Sequence, residues 1–264
     1  MSDASYYDRF NNEPETPKKE KKRVIVSETG YSLAKVFLYM FIGLVITSVI
    51  ALGLGAIFNY ILLDGLTSEE ITSFQAEAAM VLLILLITSA VGILVLSIVV
   101  PITVAKGKHS VLVPAIIYTV LMGVMLSTIA MFIPWYLLGM TFGITSLMFG
   151  LMALIALLSK SRLNGLAIVA IGLFAGAGII CLAMWILILV GVNVTWLYWV
   201  ITLATFAAMM LITIWDIARI KKIAESGEMT NNLSLYCAFI LYNDFIYILL
   251  RVLRIVLMVM GSKK

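Results

Sequence analysis

The sequence is poor in charged residues and in the residues that build most catalytic and metal sites. Only 12% of its 264 residues are charged, and it contains one histidine and two cysteines. No Cys/His spacing typical of a metal site occurs, and we expect Cys181 and Cys237, each inside an apolar segment, to be buried thiols. His109 lies beside lysines in a loop and is not placed to activate a serine. A metal site, a disulfide framework and a serine-protease site are therefore disfavoured.

Apolar residues dominate what remains. They make up 63% of the chain, and the mean hydropathy is +1.12. A water-soluble domain of this length could not hide so much apolar surface. The net charge of +4 does not indicate nucleic-acid binding, because the basic residues form short clusters between apolar runs. This distribution is typical of the cytoplasmic loops of a polytopic membrane protein.

Seven segments are long enough to cross a bilayer, which takes ~20 apolar residues per helix. They are residues 36–62, 80–104, 111–133, 136–158, 166–190, 196–216 and 235–260. We predict an all-α protein with a seven-helix transmembrane domain over residues 31–264. The polar, lysine-rich residues 1–30 cannot bury enough apolar surface to fold, so we expect a disordered tail there.

The distribution of lysine and arginine predicts the orientation of the spans. Basic residues occur in the N-terminal tail and after spans two, four and six, which predicts a cytoplasmic N-terminus. Span seven fits less well, because a full crossing puts Arg251 and Arg254 in its outer half, where their side chains must reach the interface. A re-entrant segment is the alternative, but the length of residues 235–260 favours a full crossing.

Two aspartates lie next to or inside these apolar runs. Asp216 ends span six and Asp244 lies in span seven, in the half that follows their short connection. A charged side chain at membrane depth costs at least ~2.5–3.5 kcal/mol, so such residues face protein or a wet cavity and usually have a function. If span seven enters the hydrocarbon near Cys237, Asp244 lies ~10 Å deep. Asp216, at the end of span six, then lies less deep. For the two carboxyl groups to come together, either helices six and seven are staggered by about two turns, or helix six runs deeper into the membrane than its apolar stretch suggests.

The closing stretch, WDIARIKKIAESGEM followed by LYNDFIYILLRVLRIV, resembles the signature of the Bax inhibitor-1 family. That family has an aspartate at the end of span six, a second in span seven and an arginine after it, which Asp216, Asp244 and Arg254 match. The segments FLYMFIGLVITSVIA and GITSLMFGLMAL are also similar, so the resemblance covers roughly residues 31–260. The sequence departs from the family in IARI after Asp216, in Tyr247 and in SRLNG after span four.

The resemblance implies a fold, an activity and a role for the acids. It implies seven helices with span seven at the centre, wrapped by the other six, and a cation leak, especially of calcium, across the membrane. Eukaryotic members are associated with suppression of stress-induced death. In such proteins the two aspartates form a pH-responsive pair that opens or closes the path. For a bacterial member, the membrane is the cytoplasmic membrane of a prokaryote.

The chemistry of Asp216 and Asp244 suits that role. Two carboxyl groups within hydrogen-bond reach share a proton, and its loss makes them repel each other and attract a divalent cation. Carboxylate oxygens are what calcium prefers, so both residues are candidate transient calcium ligands, with calcium as the permeant ion and no resident cofactor. We expect cations to enter from an acidic outer loop, where carboxylates raise their local concentration: Glu69, Glu70 and Glu77.

The family resemblance also suggests a basic partner in span two, but residues 80–104 carry no charge. Arg219 lies three residues after Asp216 and shares its helix face, and Arg251 shares a face with Asp244. These two and Arg254 are the candidate cationic partners.

Other functions remain open alternatives. An intramembrane aspartyl protease has two membrane aspartates, but its glycine and Pro-Ala-Leu motifs are missing, and we predict no enzyme. A secondary transporter usually shows an internal repeat and broken helices, and neither is clear in this sequence. A non-conducting scaffold that binds other membrane proteins is compatible with it, as is a structural role for the acids. The expected partners are the lipid bilayer, calcium and protons.

Overall fold

The structure, a computed structural model, describes residues 18–60, 71–106, 110–159, 164–189 and 195–261. These ranges contain seven helices and no strand. The helices are α1 (Lys18–Asn59), α2 (Ile71–Lys106), α3 (Leu112–Phe132), α4 (Trp135–Leu158), α5 (Asn164–Leu189), α6 (Thr195–Glu225) and α7 (Asn231–Gly261). Helix α1 begins at Lys18, inside the segment that the sequence analysis assigned to a disordered tail. Residues 1–17 lie outside the described part. The boundary between tail and transmembrane domain at residue 30 therefore stays a prediction.

Each of the seven helices is long and apolar enough to cross a membrane. The shortest, α3, has 21 residues, about 31 Å at 1.5 Å per residue, which matches a hydrocarbon core of ~30 Å. The predicted all-α integral membrane protein with seven spans is therefore confirmed. A re-entrant seventh segment would need a break in the helix, and α7 runs without one from Asn231 to Gly261.

Helix α7 lies at the centre of the bundle. Of its membrane-spanning window 56% is buried inside the protein, against 11–33% for the other six helices. It packs against α1, α2, α3, α4 and α6, while α5 packs mainly against α6. The predicted central position of span seven is thus confirmed. The sequence predicted two buried thiols. Cys237 is buried, but the prediction for Cys181 was wrong: it lies on α5, which adds little to the core, and is exposed.

A short hairpin joins α6 to α7 and fixes where both helices stop. Gly227 has φ 75°, a left-handed conformation that suits glycine and ends α6. The Thr230 hydroxyl accepts the Leu233 N–H at 3.2 Å and caps α7. We call the end of the bundle that holds residues 226–230 the hairpin end. The end of α4 lies there too, because Lys221 Nζ donates to the Leu157 carbonyl at 2.6 Å.

Helices α1 and α3 approach each other more closely than any glycine pattern in the sequence indicated. A Cβ on Gly123 would lie 2.8 Å from Ile50 Cβ, and a Cβ on Gly55 would lie 2.9 Å from Ala130 Cβ. The Gly172–Gly176 pair, whose spacing suggests close packing, has nothing within 4 Å of either added Cβ. Close backbone contact is therefore made at the α1–α3 interface, not on α5.

One buried hydroxyl joins three helices near the middle of the bundle. Thr47 Oγ1 on α1 donates to the Thr119 carbonyl of α3 at 3.0 Å and lies 2.6 Å from the Tyr242 hydroxyl of α7. A threonine hydroxyl has a single hydrogen, so Tyr242 is the donor in the second bond. The Tyr242 ring fits beside α1 because residue 43 is glycine, whose added Cβ would lie 3.2 Å from Tyr242 Cδ2.

This node leads to a prediction about stability. We expect Thr47→Val and Tyr242→Phe to be coupled by about 0.6 kcal/mol, with ~1.7 kcal/mol as the upper end for such bonds between membrane helices. The measurement is a double-mutant cycle on the unfolding free energy in detergent or bicelles. Purely additive effects of the two substitutions would contradict the bond.

Candidate functional site

Asp216 lies on α6, nine residues before that helix ends. The residue is 9% exposed, and its charged neighbour is Arg219, one turn further along. The Arg219 guanidinium lies 5.5 Å from the centre of the Trp215 ring. In the described part of the chain, one ion pair forms, between Lys221 and Glu225 at 4.0 Å. Arg219 therefore lies near Asp216 without a direct salt bridge to it.

Asp244 lies on the facing side of α7 and is more deeply enclosed. It is 6% exposed, and the next residue, Phe245, packs against Phe142 and Phe149 of α4 at centroid distances of 5.4 and 5.6 Å. Its carboxyl group lies beside the Thr213 side chain of α6, whose hydroxyl donates to the Met209 carbonyl at 2.9 Å. The Oδ2 atom of Asp244 is buried without a hydrogen-bond partner. Protein therefore surrounds Asp244, as expected for an acid at this depth.

The two aspartates are electrostatic neighbours across the α6–α7 interface. No hydrogen bond joins the two carboxyl groups in the structure as described, and the buried Oδ2 atom of Asp244 has no partner. Each group is instead held by its own surroundings. The proton shared between the two carboxyl groups stays a prediction.

The position of Thr213 beside Asp244 indicates the relative depth of the acids. Asp216 lies three residues after Thr213, so it is about 4.5 Å nearer the hairpin end than Asp244. Cys237 on α7 has Asp216 and Arg219 among its electrostatic neighbours, which agrees with this order. Of the two expected alternatives, a stagger of about two turns or a helix six that runs deeper than its apolar stretch, the second agrees with the structure. The reason is that α6 continues to Glu225, beyond the predicted end of span six at residue 216.

The structure separates the candidate cationic partners. Arg219 lies beside Asp216, but Arg254 lies over the ring of Tyr198, in the first turn of α6, at 5.7 Å. The charged neighbour of Arg251 is Arg254, with Tyr198 close by. Both of these arginines are at the level where α6 begins, far from the hairpin end. Only Arg219 is brought next to the acids.

Three outer-loop acids were predicted to attract cations at the entrance. Glu69 and Glu70 lie outside the described residues, and Glu77 is placed only as part of α2. A cavity of about 720 Å³ lies at the end opposite the hairpin, between the ends of α1 and α3 and the start of α4. Its lining is largely apolar, with the Asn59 amide donating to the Met131 carbonyl at 3.1 Å. It does not include either aspartate.

Two residues near the acids were not identified from the sequence. Thr213 is fully buried and lies beside Asp244, and the buried Oδ1 atom of Asn243 has no partner. The signal for Thr213 was present, because it precedes Asp216 by three residues and shares its helix face. Asn243 adjoins Asp244, and its polar side chain in an apolar span was the signal there.

The comparisons with known proteins agree with the architecture. A family profile described as an inhibitor of apoptosis-promoting Bax1 matches residues 31–263, nearly the whole chain. No curated protein matches the chain, and no solved structure matches it. The chain therefore belongs to the Bax inhibitor-1 family.

Proposed function

We propose that this member of the Bax inhibitor-1 family is a pH-sensitive, calcium-permeable leak protein gated by Asp216 and Asp244. The observation that carries the proposal is the pair of nearly buried carboxyl groups on neighbouring membrane helices, one with an oxygen that no protein group satisfies. Burial of such groups in a membrane is costly, so their retention at the α6–α7 interface favours a function beyond packing.

The proposed gate uses charge repulsion between α6 and α7. With one proton held between the two acids, the pair carries a single charge, and Arg219 beside Asp216 balances it in part. When that proton leaves, two negative charges face each other in a poorly solvated interface and push the helices apart. The groups that lie near the pair are Arg219, the Cys237 thiol and the Thr213 side chain.

Calcium is the proposed permeant ion because the facing groups are hard oxygen ligands. Calcium takes 6–8 oxygens in a stable site, and within the described residues no group of three or more His, Cys, Asp or Glu could hold a metal. Two carboxylates are enough to attract the ion and too few to retain it. This supports transient contact with a passing calcium ion.

The orientation and location belong to the same proposal. Basic residues at the hairpin end, including Arg219, Lys221 and Lys222, support a cytoplasmic position for that end and for the N-terminus. The proposed membrane is the cytoplasmic membrane of a prokaryote. The acids then lie in the cytoplasmic half of the bundle, and cations enter from the outer side.

The proposal predicts slow calcium influx into vesicles that contain the purified protein. We expect calcium entry to depend on the protein and on pH between roughly pH 6 and 8, and to weaken at high salt because screening reduces attraction to the outer carboxylates. The measurement uses a calcium dye inside liposomes, with protein-free liposomes as the control. If no calcium enters at any pH in this range, the leak function is wrong and the alternative, a non-conducting scaffold for other membrane proteins, gains support.

A further inference from the structure

Two arginines on the central helix lie one turn apart, at the end of the bundle opposite the hairpin. Arg251 and Arg254 are three residues apart on α7, so their side chains leave the same helix face about 4.5 Å apart along the axis. Arg251 is partly buried and Arg254 is exposed. The Arg254 guanidinium lies 5.7 Å from the centre of the Tyr198 ring on α6, a contact that holds it on that side of α7.

The first turn of α6 indicates the depth of this pair in the membrane. It carries the aromatic residues Trp196, Tyr198 and Trp199, and Trp196 is 66% exposed. Exposed tryptophan and tyrosine at the end of a membrane helix mark the level of the lipid headgroups. Since Arg254 lies over Tyr198, its guanidinium is at that level. Arg251 is one turn deeper, and its long side chain can extend toward the headgroups from there.

Neither arginine forms an ion pair with a described side chain. The ion pair of the described part, Lys221–Glu225, lies at the hairpin end. The acid before them on α7, Asp244, is about 10 Å from Arg251 along the helix axis. Two like charges one turn apart on a helix repel each other. Arginine in a membrane span is costly unless it is paired, so this arrangement favours an anion from outside the protein.

The surface of α7 below the arginines, toward the middle of the membrane, is largely apolar and open to lipid. Leu250 and Tyr247 precede Arg254 by four and seven residues and therefore lie on its face of the helix. Tyr247 is 48% exposed although α7 is the central helix. Two cations at headgroup level thus lie above an uncovered apolar surface. A phospholipid has the matching order of groups, with a phosphate above and acyl chains below.

We propose that Arg251 and Arg254, with Tyr198 beside them, bind the phosphate of an anionic phospholipid whose acyl chains lie along α7. Each planar guanidinium group can donate two N–H groups to phosphate oxygens, which suits a phosphodiester better than an ammonium group does. An anionic lipid is favoured over a zwitterionic one, because a choline group would bring a third positive charge to the site. The site is independent of the two aspartates and of calcium conduction.

The binding is tested by native mass spectrometry on the full-length protein in neutral detergent, titrated with phosphatidylglycerol and, separately, with phosphatidylcholine. We expect the wild type to bind phosphatidylglycerol severalfold more tightly than phosphatidylcholine. Arg254→Gln should lower the affinity for phosphatidylglycerol about tenfold, as expected for the loss of a charge-assisted hydrogen bond. Arg254→Lys keeps the charge but loses the guanidinium fork, so its affinity should lie between the two. The matched control is Lys222→Gln, which removes one exposed charge at the hairpin end and should stay within about twofold of wild type.

Thermal unfolding provides a second measurement that needs no variant, since a ligand bound to the folded state raises the unfolding midpoint. Phosphatidylglycerol should raise the midpoint of the wild type more than phosphatidylcholine does. Equal effects of the two lipids, the result expected if acids such as Glu69 and Glu70 neutralise the arginines, would overturn the proposal. An equal loss of affinity in Lys222→Gln and Arg254→Gln would also overturn it. An equal rise of the midpoint with glycerol 3-phosphate at the same concentration would indicate a site for a soluble phosphate and refute the lipid.

Discussion

Replacement of either aspartate by asparagine is expected to remove most of the pH dependence of calcium flux. A gate that opens on the loss of one proton can change the flux by at most about tenfold per pH unit. We expect a severalfold change between roughly pH 6 and 8 in the wild type, and less than about twofold in Asp216→Asn or Asp244→Asn. The reason is that one remaining carboxyl group has no acid partner with which to share a proton or to repel.

The design of this experiment separates the pair from other carboxylates at the same end of the bundle. Glu225→Gln removes one acid from α6 that pairs with Lys221, and its side chain is 52% exposed. This control should keep the pH dependence of the wild type. Asparagine has nearly the shape of aspartate, so folding should survive, and thermal unfolding of each variant checks this. If both single variants keep the full pH dependence, Asp216 and Asp244 only hold α6 and α7 together.

The number and order of the helices were predictable from the sequence, because an apolar run of bilayer length has few other structures open to it. The end of α6 was not. The uninterrupted apolar run stops at Asp216, but backbone hydrogen bonds continue a helix into polar surroundings, and α6 runs on to Glu225. It ends where Gly227 takes a positive φ. Hydropathy indicates which residues lie in the hydrocarbon core of the membrane, whereas the position at which a helix ends depends on the local backbone conformation.

The two acids of the candidate site were also found from the sequence, since charge at membrane depth is rare and conspicuous. Their surroundings required the structure. The sequence places Thr213 on the helix face of Asp216, but it does not show that Thr213 lies beside Asp244 of α7. That contact depends on the register of α6 against α7. Arg219, by contrast, lies near Asp216 simply because it follows one turn later on the same helix, and Arg251 lies about two turns beyond Asp244, next to Arg254.

Substitution of Gly123 by alanine is expected to destabilise the protein by about 1–3 kcal/mol, the usual cost of overpacking a tight interface. The new Cβ would lie 2.8 Å from Ile50 Cβ and 3.1 Å from the Thr47 carbonyl oxygen. Real Cβ atoms do not approach other carbons so closely, so α1 and α3 must move apart. Thr47 also carries the hydroxyl that binds Tyr242 of α7, so this displacement should loosen the contact of α1 with the central helix as well.

The matched control positions are Gly172 and Gly176 on α5, whose spacing suggests close helix packing. Gly172→Ala and Gly176→Ala place a Cβ where nothing lies within 4 Å, and alanine has a higher helix propensity than glycine. We expect neither to lower the stability, measured as the midpoint of thermal or denaturant unfolding of the purified protein. A loss of stability at Gly176 equal to that at Gly123 would mean that α5 packs closely against another helix. If Gly123→Ala is as stable as the wild type, α1 and α3 can separate at little cost. The contact between Thr47 and Tyr242 would then have to tolerate that displacement.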